Sequence, residues 1–210
     1  KEINLFAERM RRMFGMLQDL LHTTNENDFN KLFSRIEKYE NISDNMELEI
    51  ANYLNKVSEG RLSSESKLEI RGMLREVTEI ESIGDSCYNL ARTINRKRSG
   101  GNDFTEKQYE HIHQMMQLTS DALAHMIAVV EDEHHVVDVN KTFNLENEIN
   151  NYRAQLKNQN VVDVNNKEYD YQMGVHYMDL IGECEKLADY VVNVVEARTN
   201  VKEKKIGDNR

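Results

Sequence analysis

No proline interrupts the 210 residues of this chain. At ordinary usage about ten would be expected. Proline removes a backbone donor and clashes with the preceding helical turn, so a chain without it can run as long unbroken helices. With only nine glycines as well, turn-rich β-sandwiches and proline-rich disorder are excluded. A chain that is 39% apolar and 30% charged fits amphipathic helices better than disorder. Lys plus Arg is 27 against 37 Asp plus Glu, a net charge of −10, the wrong sign for a nucleic-acid binder. No apolar run approaches the ~20 residues of a membrane span, and no signal peptide is visible. Cys87 and Cys184 suit a reducing compartment rather than a disulfide framework. The expectation is an acidic, all-α, cytoplasmic unit with no direct membrane insertion of this segment.

The few breakers divide the chain into six helices. The first spans 1–24. The second spans 28–59 and stops at Gly60, read as a left-handed terminator. Ser63 to Glu65 opens the third, which lasts to Ser99 before the Gly100-Gly101 boundary. Thr105 and Gln108 form a capping box for the fourth, with Phe104 and Tyr109 as its hydrophobic staple. The fifth is expected over 134–158. The sixth is expected from Asn165 to about Lys202, with Glu168 closing a second box, Val164 and Tyr169 a second staple, and 203–210 a frayed tail.

Long helices on either side of the glycine pair read as one three-helix unit used twice, 1–99 and 104–202. The third and sixth helices carry the repeat. Met73, Val77, Ile80, Gly84, Cys87, Ala91 and Ile94 follow alternating steps of four and three. So do Tyr177, Ile181, Cys184, Ala188, Val191, Val195 and Arg198, each 104 positions later. Such spacing makes a seam for left-handed helix packing.

Polar residues share the same offset. Glu81 and Asp85 match Glu185 and Asp189, and Asn89 matches Asn193. Residues four apart stand one turn above each other on a helix. Two carboxylates held close repel, and the repulsion calls for a cation, a proton or a basic partner. Hard cations such as Mg²⁺, Mn²⁺ or iron prefer oxygen ligands of this kind. The second helix offers a complement in Glu40 and Asp44. The fifth offers Glu146 and Asn150, where an amide replaces a carboxylate and weakens the second cluster. Small Gly84 and Ala188 inside the motifs let a neighbouring backbone approach.

Glu81-Ser-Ile-Gly-Asp85 with Asn89, set in a duplicated six-helix bundle, resembles the PhoU-type phosphate-uptake regulators. The likeness runs from about Leu5 to Arg198. It implies two tandem three-helix bundles whose acidic motifs bind metal ions, including iron or zinc clusters. Carried over by position, the ligands are Glu40, Asp44, Glu81, Asp85, Glu146, Glu185 and Asp189. The metal is Fe, Zn, Mn or Mg. The resemblance further implies a regulatory, non-enzymatic domain acting on phosphate uptake, a phosphate transporter or its membrane domain as partner, and a homodimer. Its members are free-standing or fused behind sodium–phosphate cotransporter domains. A start at Lys1 rather than Met tilts the expectation toward the fused form, at the inner face of the membrane.

Two rival readings stand beside it: a ferritin-like carboxylate-bridged metalloenzyme, and a structural helical scaffold with empty acidic pairs. The Glu-x-x-His spacings at Glu110–His113 and Glu131–His134 suit di-iron bundles. They lie some 32 Å apart along a helix and cannot share one site, so surface histidines are expected, with His134-His135 able to hold stray zinc. Met10, Met13, Met16, Met115 and Met116 read as core filling, with a dimer or transporter face on the first or fourth helix as the alternative. Arg9, Arg11, Arg12 and Arg96 to Arg98 read as solvated faces, or as a juxtamembrane docking strip. Both cysteines are expected to be buried and inert.

Overall fold

The computed structural model describes residues 1–134 and 136–207. Six helices follow one another: α1 Glu2–His22, α2 Glu26–Ser58, α3 Ser64–Ser99, α4 Glu106–Glu131, α5 Asn140–Asn165 and α6 Tyr171–Gly207. They form two tandem three-helix bundles, α1–α3 and α4–α6. The bundles are joined chiefly by α3 against α6, and also by α1 against α4. Nearly all residues of both seams are buried. They therefore serve the joint between the halves as well as each bundle.

Polar pairs fix the register of that joint. The Asn89 amide donates to Glu183 Oε1 at 3.3 Å, and the Asn193 amide donates to Glu79 Oε2 at 3.0 Å. Ascending positions on α3 meet descending ones on α6, so the helices run antiparallel and the halves are related by a local twofold. The matched asparagines thus tie the bundles together rather than extending the acidic motifs. At the far end, Arg198 breaks the apolar seam for a reason. Its Nη1 lies 3.5 Å from Oε2 of the buried Glu76, and its Nη2 donates to the Val130 carbonyl at 2.9 Å, capping the end of α4.

Local signals set the helix ends, with several corrections. The Thr105–Gln108 capping box is formed in both directions, and Phe104 meets Tyr109 edge to face at 5.5 Å. Asn25 caps α2 earlier than expected, accepting from the Asp28 amide at 3.1 Å. Gly60 is not left-handed; the glycine with positive φ is Gly101, at +77°. The α5 helix begins six residues after the expected 134 because Asp132 and Asp138 spend their carboxylates on the backbone amides of His134, Val137 and Asn140. Those bonds hold a loop in place of a first helical turn.

The same helix continues through the residues expected to break it. It ends in a Schellman motif at Lys167, φ +61°, whose amide bonds Val164 O while the Glu168 amide bonds Asp163 O. Glu168 therefore closes α5 instead of opening α6, and Asp170 supplies the cap through the Met173 amide at 2.8 Å. The α6 helix extends to Gly207, past the expected end at Lys202. Residues 208–210 of the expected tail, and His135, lie outside the described residues.

All five methionines of α1 and α4 named above are buried. They fill the core, and α4 exposes no large hydrophobic side chain among the described residues. The basic run at 96–98 is a structural clamp rather than a free strip. Arg98 donates to the carbonyls of Thr23 and Thr24 at the end of α1, and Lys97 pairs with Asp103. Arg9 lies over the Tyr39 ring at 4.0 Å. No helix among the described residues is long and apolar enough to cross a membrane.

Candidate metal centre

Three of the expected ligands converge. Glu40 and Asp44 on α2 and Asp85 on α3 each bring a carboxylate oxygen within 4.8 Å of the others. The periodicity of α2 stacks Glu40 and Asp44, and α3 packs against α2 and α1 with Gly84 at the contact. A Cβ there would stand 3.3 Å from Met10 Sδ and 3.8 Å from Ser43 Cβ. Ser43 is buried and turns its hydroxyl to the Tyr39 carbonyl at 2.7 Å. Glu81 stands one turn before Asp85, close enough for the Asp85 charge to act on it, and outside the three whose oxygens converge.

The electrostatics are those of an uncompensated acidic site. Burial, then the charges of Asp44, Asp85 and Glu37, push the Glu40 carboxyl up from its usual range. Burial and then Asp85 do the same to Asp44. Glu81 rises to about 8, through burial first and then the charge of Asp85, with Glu47 and Asp44 adding to it. Among the described residues no Lys or Arg forms an ion pair with any of these four. Glu47 belongs to the same patch and was missed. It lies three residues after Asp44, on the same helical stripe, and accepts from the Thr78 hydroxyl at 3.2 Å. A set of oxygen donors with no internal counter-charge fits a hard divalent cation.

The second half differs. Glu146 stands beside Asp189, whose carboxyl is raised by burial first and then by the charges of Glu146 and Glu185. The Asn150 amide donates to Glu146 Oε1 at 2.5 Å. Glu185 is ion-paired with Arg153, whose Nε lies 2.6 Å from Oε2 without the angle of a hydrogen bond. Here the residues do not gather as a ligand set among the described residues.

The other candidates are spent elsewhere. The His113 and His22 Nε2 atoms meet at 2.6 Å, joining α4 to α1, and His111 Nδ1 meets the Tyr177 hydroxyl at 2.8 Å. Cys87 and Cys184 are free and buried. Burial pushes both thiols up, Cys184 to about 12, which leaves them unreactive.

The PhoU domain family model matches the chain twice, over residues 3–94 and 112–197. The chain belongs to the PhoU domain family. Solved PhoU structures share the fold. The protein from Pseudomonas aeruginosa superposes with a TM-score of 0.85 at 10% identity, covering 97% of this chain and 94% of its own. The phosphate transport system regulatory protein PhoU from Streptococcus pneumoniae gives 0.78 at 14% identity, covering 96% and 91%. Sequence comparison with curated proteins gives no match. Both PhoU repeats of this chain have their three helices, and among the described residues three carboxylates converge in the first.

Proposed function

We propose that this PhoU-family chain is a regulator of phosphate transport that binds metal through its first repeat. The observation that carries the metal assignment is the approach of Glu40, Asp44 and Asp85 within 4.8 Å, with no Lys or Arg among the described residues in an ion pair with them. Glu40, Asp44, Glu81 and Asp85 would hold an ion such as Mn²⁺, Mg²⁺, Fe or Zn, and Glu47 would support it. The ion would supply the missing positive charge and hold α2 to α3.

The regulatory assignment rests on family membership and on the kinship with a phosphate transport system regulatory protein. A phosphate transporter, or the membrane domain of one, is the partner, and the cytoplasmic face of the membrane is the place. We extend the reading to a homodimer, for which light scattering is the check. The ferritin-like alternative loses support because no histidine joins the convergent group. Phosphate uptake in cells lacking this gene, complemented with the wild-type chain or with Asp85→Asn, tests the function. Uptake that escapes control on deletion and recovers only with the wild type supports it. Uptake indifferent to the deletion sinks it.

A further inference from the structure

Glu40, Asp44 and Glu47 on α2 have positional counterparts on α5, each 106 residues later, in Glu146, Asn150 and Arg153. Glu47 stands near Glu81 and helps raise its proton affinity. Arg153 stands at the equivalent place against Glu185, the counterpart of Glu81, at 2.6 Å. One position in the repeat therefore carries a carboxylate in the first half and a guanidinium in the second. The first half gathers Glu40, Asp44, Glu47, Glu81 and Asp85. The second has three carboxylates, an amide and a permanent positive charge.

That reversal changes what each cluster can take. Arginine does not lose its proton in proteins, so a divalent cation entering the second cluster would meet a fixed like charge and lose Glu185 as a ligand. Asn150 turns its amide hydrogens toward Glu146 and leaves its Oδ1 without a hydrogen-bond partner, but that oxygen is a neutral donor where the first cluster has the Asp44 carboxylate. Both outer helices also bury few side chains, four of 33 residues in α2 and three of 26 in α5. What bridges them to α3 and α6 thus governs how readily they open.

We infer that Arg153 is the built-in cation of the second repeat: it holds α5 on α6 without metal, whereas α2 is held on α3 by metal, so metal acts on one half only. The metal-dependent part rests on the function proposed above; the role of Arg153 does not.

Hydrogen exchange of the metal-free chain, with and without Mn²⁺, separates the two. Added Mn²⁺ slows exchange in α2 and leaves α5 unchanged. Arg153→Gln speeds exchange in α5 at least tenfold and leaves α2 unchanged. Slowing of α5 by Mn²⁺, or indifference of α5 to Arg153→Gln, overturns the inference. A gain of binding gives a second test. In an Asp85→Asn background, Asn150→Asp with Arg153→Glu raises Mn²⁺ affinity at least tenfold; no gain overturns the inference. In the otherwise native chain, Glu185→Gln leaves Mn²⁺ content unchanged, and a loss also overturns it. A wild-type chain that takes up no Mn²⁺ removes the one-sided metal response, while the exchange of α5 in Arg153→Gln still decides the role of Arg153.

Discussion

Replacing Asp85 by Asn removes one charge from the centre of the first cluster and keeps the shape of the side chain. Its oxygen lies within 4.8 Å of those of Glu40 and Asp44. At that separation two unit charges repel by about 0.9 kcal/mol in bulk water and about 3.5 kcal/mol at an effective dielectric of 20. Asp85 is exposed and its neighbours are half-buried, so screening keeps each pair near the lower figure. Two pairs make the metal-free variant more stable by about 2 kcal/mol at pH 7. For a chain of this size that raises Tm by roughly 4–8 °C. Metal reverses the order. An ion at 100 times its Kd stabilises the wild type by about 2.7 kcal/mol and the variant by far less. Thermal melts of both proteins, stripped and then loaded with Mn²⁺, read both effects, and high salt shrinks the metal-free difference. A metal-free variant less stable than wild type, or a wild type whose Tm ignores metal, would refute the reasoning.

Three further outcomes follow from other parts of the molecule. The Glu81 carboxyl rises from 4.5 to about 8 on folding, so the folded chain holds the extra proton between those values and metal-free stability falls as pH rises through the window; urea midpoints from pH 5 to 8.5 should decline more steeply for the wild type than for Glu81→Gln, and parallel curves would count against it. Lys167→Gly relieves a side chain from φ +61° and should add about 0.5–1 kcal/mol in urea titration; a loss would contradict the Schellman ending of α5. Arg198→Met takes the guanidinium from the buried Glu76 and the end of α4 and should cost about 2–4 kcal/mol; a change below about 0.5 kcal/mol would show the contact to be idle.

The helices and both seams were legible because they rest on periodicity, which a sequence prints directly. The ends of α5 were not. Asp132 and Asp138 act through bonds to amides two and five residues on, and Lys167 adopts a left-handed turn that usually marks glycine. Asn150 signalled that the second cluster was weakened. Arg153 was not read as part of it, because it meets Glu185 only once α5 packs on α6. Glu47 was readable as the third residue of the α2 stripe, but its place beside Glu81 needed the fold. The asparagines matched at 104 residues gave the repeat, but their part in joining α3 to α6 needed the fold, since an offset records symmetry and not what a side chain touches.

Metal content by elemental analysis, after the chain is stripped and reloaded with Mn²⁺, addresses the central claim most directly. Wild-type protein should retain the metal after desalting, and Glu81→Gln with Asp85→Asn should lose it. Equal metal in the two, or none in the wild type, would contradict a metal centre in the first repeat.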